Sequence, residues 1–290
     1  MDDDAATRAP EEAFGLVANE TRLAILRALW EADDQVLSFS ELRDAVGVRD
    51  TGQFNYHLGK LVGTFVDRVE PGEDGGSNAG YELRFAGLTL LGAVLSGVYT
   101  RETEVGPVPI DLECLECGGP LSARYEHGEA CIDCDDCGEQ FMGYGVPSGV
   151  VEGRDPDRLP EIFTSYLYTV MTQVSTGFCP VCTGRIWGSV FEKEDRGYYA
   201  RYTCDRCGLE LTSFLGGAVL THPVVVGFLA DHGIDIRTEP FWQFDWFDAE
   251  NATVTTEDPL RVDVTFAIDD ERLILTLDES LAVVETHRET

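Results

Sequence analysis

Lysine is almost missing from this chain of 290 residues: only Lys60 and Lys193 occur, and the other basic residues are arginine. Positive charge as a whole is scarce, with 21 basic residues against 53 acidic ones and a formal net charge of −32. Carboxylates in excess with so little lysine suggest a protein kept soluble in concentrated salt, as in a salt-accumulating archaeal cytoplasm. At ~1 M salt the Debye length falls to about 3 Å, so long-range repulsion from DNA is largely screened. Net charge therefore argues about environment more than about partner. Long apolar runs are also absent. The longest, around Leu88 to Tyr99, is too short to span a bilayer. The opening "MDDDAATRAPEE" has neither a basic n-region nor an apolar h-region, so no secretory signal is expected and the expected location is cytoplasmic, without a membrane partner. No Ser/His/Asp grouping, no phosphate-binding loop and no metal-ligand set with an open coordination place is visible, so no enzymatic activity is expected.

What is present is a folded composition. Apolar residues make up 43% and aromatic ones 10%, which excludes acidity as a sign of general disorder. Nine cysteines in a cytoplasmic chain read as metal ligands rather than disulfides. The chain divides into a disordered acidic tail at 1–9, a helical region with a hairpin at 10–100, a cysteine region at 112–216 and a C-terminal region at 217–290. The segment "TRETEVGPVPID" (100–111) has two prolines and no periodicity and reads as a linker. The fold class expected from these parts is α+β.

In the first region Glu11 to Val17 reads as a short helix. After Asn19, "ETRLAILRALWEA" places Leu23, Leu26, Ala28 and Leu29 on one stripe, read with Trp30 as core. In "SFSELRDAVGV" either Ser38 or Ser40 can cap a helix; Leu42, Ala45 and Val46 face inward and Gly47 ends it. "DTGQFNYHLGKL" (50–61) is capped by Asp50 or Thr51 and buries Phe54, Leu58 and Leu61. Two short helices joined by a tight turn are a helix-turn-helix, whose second helix enters the major groove of DNA. Gln and Asn can bond bidentately to adenine, and a lysine at the far end can meet a phosphate or a guanine. His57 reads as a packing or backbone-bonding residue. "FVDRVEPGEDGGSNAGYELR" follows as strand, Gly-rich loop and strand, with Arg68 and Arg84 near its base. "FAGLTLLGAVLSGVYT" closes the region as an apolar helix and candidate dimer contact.

On the residues "VANETRLAILRAL", "FSELRDAVGV", "FNYHLGKL" and the Gly-rich hairpin, roughly 11–99 resembles the ArsR-type winged-helix transcriptional regulators of archaea and bacteria. The resemblance implies binding to double-stranded DNA as a homodimer. It places Gln53, Asn55, Tyr56 and Lys60 at positions matching the family's recognition helix, and Arg49, Arg68 and Arg84 join them as candidate contacts.

The cysteines fall into C-x2-C-x16-C-x2-C (Cys114, Cys117, Cys134, Cys137) and C-x2-C-x21-C-x2-C (Cys179, Cys182, Cys204, Cys207). Each C-x-x-C is followed by a small residue, three times Gly and once Thr-Gly, as a knuckle requires if backbone N–H groups are to point at the thiolates. Hairpins connect the pairs. The expected reading is two zinc ribbons, each a closed structural Zn2+ site; an iron–sulfur cluster is the weaker reading. Cys131 is left over and reads as a strand residue. The first ribbon is flanked by Glu113, Glu116, Asp133, Asp135 and Asp136; Arg185, Arg196, Arg201 and Arg206 make the second the better candidate for phosphate contact. The intervening segment places Ile162, Leu167, Val170, Met171 and Val174 on a packing helix.

The C-terminal region reads as a short helix from Thr221 to Gly233, flanked by His222 and His232, and then strands near 252–256, 261–267, 272–277 and 281–286, an antiparallel meander with one buried face. Trp242, Phe244, Trp246 and Phe247 read as core beneath that sheet. The expected function is a DNA-binding transcriptional regulator with a zinc-stabilised effector or oligomerisation part. Winged helix plus zinc ribbon is also similar to archaeal general initiation factors, which implies the alternative of an interaction factor that meets RNA polymerase or other transcription factors without reading a DNA sequence.

Overall fold

The computed structural model describes residues 8–33, 35–70, 79–114, 116–193, 197–240, 244 and 251–290. The chain forms two compact units, Met1–Arg101 and Glu102–Thr290. The class is α+β, with helices and four small antiparallel sheets. No helix among the described residues is long and apolar enough to cross a membrane. Most of the tail expected to be disordered at 1–9 lies outside the described residues, as do Trp242, Trp246 and Phe247.

The first unit runs α1 (Pro10–Val17), α2 (Glu20–Glu31), β1 (Val36–Leu37), α3 (Phe39–Val46), α4 (Thr51–Leu61), β2 (Val66–Val69), β3 (Gly80–Leu83) and α5 (Phe85–Leu95). Its helices α2, α3 and α4 start on side-chain caps. Asn19 accepts the N–H of Arg22 at 3.2 Å. Ser38, not Ser40, caps α3: its hydroxyl accepts from Glu41 N–H while the Glu41 carboxylate accepts from Ser38 N–H at 2.9 Å. Asp50, not Thr51, caps α4. Gly47 ends α3 at φ 75°, a left-handed conformation that suits glycine. Ile25, Leu26, Leu29, Leu42, Phe54, Leu58, Leu61 and Leu91 fill the core, and β1-β3-β2 close one side. Two side chains expected inside are not there. Trp30 is 45% exposed, because it follows Leu29 by a single residue and so points about 100° away from the buried stripe. Ala45 is exposed at the flank of α3, leaving Leu42 as the buried anchor of that helix. Gly87 lets α5 approach the chain before it: a Cβ there would lie 2.5 Å from the carbonyl oxygen of Phe65.

The second unit begins with β4 (Val105–Glu113), β5 (Pro120–Glu126), β6 (Glu129–Cys134) and β7 (Gln140–Gly145), hydrogen-bonded in that order. Part of the segment expected as a linker is therefore strand. Pro107 and Pro109 are tolerated there because β4 is an edge strand, and its pairing with β5 is broken by two register shifts. Then come α6 (Leu159–Ser175), the sheet of β8 (Ile186–Lys193), β9 (Gly197–Cys204) and β10 (Glu210–Phe214), α7 (Leu215–Ala218) and α8 (Pro223–Asp231). The meander β11 (Ala252–Glu257), β12 (Leu260–Ile268), β13 (Glu271–Asp278) and β14 (Val283–Glu289) ends the chain in consecutive order. Val262, Val264, Phe266, Leu273, Leu275 and Leu277 alternate onto its buried face. That face shares one core with Leu121, Tyr125 and Ile132 of the β5–β6 hairpin, with Leu159 and Phe163 of α6, and with Phe228 of α8. The segments 112–216 and 217–290, separate in the sequence, thus pack as one unit. Phe244 packs against the same core. The far half of α6 serves another purpose: Val170 and Val174 pack beneath Cys179, Ile186 and Cys204.

Candidate metal centres and a candidate nucleic-acid interface

Four knuckles in the second unit share one backbone pattern. The N–H four residues after the first cysteine of each pair returns to that cysteine's carbonyl: Gly118 to Cys114 at 2.7 Å, Gly138 to Cys134 at 3.0 Å, Thr183 to Cys179 at 2.9 Å and Gly208 to Cys204 at 3.1 Å. Each first cysteine donates its own N–H to the carbonyl five residues on, at 2.8–2.9 Å. The residue after the second cysteine is left-handed in every knuckle, Thr183 included at φ 55°. The small residues following each C-x-x-C are thus needed to reverse the chain beneath the sulfurs.

The reversal collects four thiols at one end of each of two hairpins. Cys114, Cys117, Cys134 and Cys137 form one group, and Cys179, Cys182, Cys204 and Cys207 the other, with all sulfurs of a group within 4.8 Å of one another. Cys117 and Cys134 lie 3.5 Å apart, Cys114 and Cys137 3.8 Å, Cys182 and Cys204 3.5 Å, and Cys179 and Cys207 3.7 Å. Four thiolates at ~2.3 Å from a tetrahedral ion sit about 3.8 Å from one another. The donor set therefore fits a metal ion as it stands, and all eight cysteines singled out by spacing are brought together. The N–H of Cys137 points at the Cys134 sulfur and holds that thiol down to about 7; the N–H of Cys207 does the same for Cys204, down to about 6. Cys131 stays outside both groups, buried in β6 with Gln140 Nε2 at 3.6 Å from its sulfur.

The two hairpins are built on one frame. Asp135 N–H donates to Pro120 carbonyl at 2.9 Å, and Asp205 N–H donates to Arg185 carbonyl at 3.1 Å. Two residues on, Ser122 hydroxyl donates to Asp135 and Trp187 indole to Asp205, both at 2.8 Å. Their charges differ. In the first hairpin Arg124 is held between Glu126 and Asp133 at 3.0 Å each, and burial pushes the Asp133 carboxyl up. In the second, Arg185, Arg201 and Arg206 are exposed; Arg196 lies outside the described residues. Aromatics line the far face of this hairpin, where Trp187, Ser189, Phe191 and Lys193 alternate at the strand period, a pattern visible in the sequence but without an expected role there.

In the first unit, α4 presents the face opposite its buried triplet. Gln53, Tyr56 and Lys60, spaced by three and four residues, are exposed on one stripe with Gly52 and Gly59. Lys60 Nζ lies 5.5 Å from the centre of the Tyr56 ring, and His57 meets that ring edge-on at 5.3 Å, its Nδ1 buried without a hydrogen-bond partner. Asn55 is exposed but lies at the flank, nearly half a turn from Gln53. Arg49 is exposed just before the cap. The two hairpin arginines are exposed but partnered within the unit: Arg68 lies over the Tyr81 ring at 5.6 Å, and Arg84 pairs with Asp67 at 3.3 Å and donates to the Gly63 carbonyl.

Residues 111–283 match the family described as a domain of unknown function (DUF7351), and residues 10–94 match another described as a domain of unknown function (DUF7347). No curated protein matches the chain.

Proposed function

The chain belongs to the DUF7351 family, and we propose that it is a cytoplasmic DNA-binding transcriptional regulator of ArsR-like winged-helix type, stabilised by two structural Zn2+ ions. The observation that carries this reading is α4: a helix capped by Asp50, anchored by Phe54, Leu58 and Leu61, and offering Gln53, Tyr56 and Lys60 outward. It follows α3 across the Gly47 turn, the order in which a helix-turn-helix sets its reading helix in the major groove. The β2–β3 hairpin would be the wing. The exposed apolar side of α5, with Phe85, Leu88 and Leu95, supports a homodimer that reads two half-sites. The thiol groups support zinc because four thiolates at tetrahedral spacing leave no open position, which favours a structural over a catalytic ion.

A second reading is favoured by the hairpin. Its arginines, although exposed, are paired with Asp67 and Tyr81, and the exposed Glu70 follows the first strand. That supports an interaction factor of the transcription machinery, meeting RNA polymerase without sequence-specific DNA contact. A gel shift on DNA upstream of the protein's own gene, in molar KCl, separates the two. A discrete shift resisting unrelated competitor DNA supports the regulator. No shift, with polymerase subunits retained on the tagged protein, supports the interaction factor.

A further inference from the structure

The register of the two metal-bearing hairpins permits a position-by-position comparison. In the first, Leu121 lies opposite Cys134; in the second, Ile186 lies opposite Cys204. Counting from these anchors, the pairs Ser122–Asp133, Arg124–Cys131 and Glu126–Glu129 correspond to Trp187–Thr203, Ser189–Arg201 and Phe191–Tyr199. The second set lies on the face turned away from the core side chains Ile186, Ala200 and Cys204, whereas in the first set Ser122, Cys131 and Asp133 are buried. One frame thus carries carboxylates and one ion-paired arginine in its first copy, and aromatics and cations in its second.

The second face is organised in rows. Phe191, Tyr199 and Phe214 lie side by side across three strands, with ring centres 6.0 and 5.2 Å apart. Arg201 lies over the Phe191 ring at 4.2 Å, and Lys193 stands 5.4 Å from the Tyr199 ring. Trp187, 45% exposed, is fixed by its indole bond to Asp205. From Trp187 to Phe191 the strand spans roughly 13 Å, with the exposed Arg201 guanidinium between them in register. In a unit with 36 acidic and 12 basic residues, this face sets Arg201 and Lys193 among the rings, with Glu210 opposite Thr203 and Asp205 bonded to Trp187 at its far end.

We propose that this face binds single-stranded nucleic acid, with bases stacked on Trp187 and on the Phe191 row and phosphates held by Arg201 and Lys193. Alternating rings and cations at about this spacing suit a strand whose bases are free to splay, because every base has a face to stack and every linkage a charge to meet. A duplex would hide those faces. The carboxylate version of the same frame in the first hairpin would repel a strand, so the two copies have divided their roles. The proposal stands apart from the α4 reading and survives or fails without it.

The test uses the full, metal-loaded chain and fluorescent oligodeoxythymidine and oligouridine of about twelve nucleotides, a site size within the usual range. Anisotropy is followed over a series of KCl concentrations. At least one oligonucleotide should bind, and preference between them assigns the strand as DNA or RNA. Trp187→Ala and Phe191→Leu should each weaken binding by about 5- to 100-fold, and Arg201→Gln should also reduce its salt dependence, while all three retain two metal ions per chain. Lys60→Ala in α4 should leave this binding unchanged. Absence of binding to both strands, indifference to Trp187→Ala and Phe191→Leu in metal-replete protein, or loss on Lys60→Ala alone would each overturn the proposal.

Discussion

The carboxylate of Asp50 accepts the backbone N–H of Gln53 at 2.8 Å. One bond thus starts α4 and sets the backbone of the first side chain on its outward stripe. Asp50→Ala should cost ~0.5–2 kcal/mol of stability, while Asp50→Asn should cost far less because the amide oxygen also accepts. Urea denaturation in high salt measures both. Equal stability of Asp50→Ala and the parent chain would contradict the capping role.

Two metal ions per chain are expected, both zinc, measured by elemental analysis of protein purified without added metal. Cys117→Ser and Cys182→Ser should each leave one. Iron, or a single ion in the parent chain, would contradict two Zn2+ sites.

The thiols of Cys134 and Cys204 are held below the ordinary value by N–H groups of their own knuckles. Groups depressed in this way contribute stability above the unfolded thiol value, opposed at high pH by Cys117 and Cys207, which the neighbouring thiolates push up to about 12. That contribution is lost as pH falls through about 7 for Cys134 and about 6 for Cys204. In metal-free folded protein, thiolate ultraviolet absorbance should therefore persist at neutral pH and disappear on acidification through this window. A titration with all the thiols near ~8.5 would contradict the geometry of the knuckles.

Phe266 belongs to β12, yet its core includes Tyr125 and Ala130 of the first metal-bearing hairpin. Phe266→Ala should cost ~3–5 kcal/mol and raise amide exchange in β5 and β6 as well as in β12 and β13. Exchange confined to the meander would mean that the two segments do not share a core.

Local chemistry is what the sequence makes legible. The helix start after Asn19 and the cysteine spacings can be read directly, and the caps of α3 and α4 each narrow to two residues. The meander is legible because its buried residues alternate without interruption from Val262 to Phe266 and from Leu273 to Leu277. What stays hidden depends on distant partners. β4 carries two prolines that look like punctuation, and only its place at a sheet edge makes them acceptable. The union of 112–216 with 217–290 leaves no local trace, since it rests on a core that Phe266 of β12 shares with the β5–β6 hairpin. Arg84 has the sequence position of a phosphate ligand, but the fold sets Asp67 beside it. The aromatic row of the second hairpin needs strand register to align Phe191 with Tyr199 and Phe214.

The proposed dimer rests on α5, whose exposed Phe85, Leu88 and Leu95 recur at spacings of three and seven residues. Light scattering in molar KCl should give twice the chain mass, and Leu88→Glu with Leu95→Glu should give monomers that keep their helix content. A monomeric parent chain would remove the two-half-site reading.

Whether α4 reads DNA sequence, as proposed, is measured by footprinting on the DNA upstream of the gene in molar KCl. A short protected palindrome is expected, with Gln53→Ala losing ~1–3 kcal/mol of affinity for that site and little for unrelated DNA. Uniform loss on all sequences, or no protected site for the parent chain, would contradict the proposal.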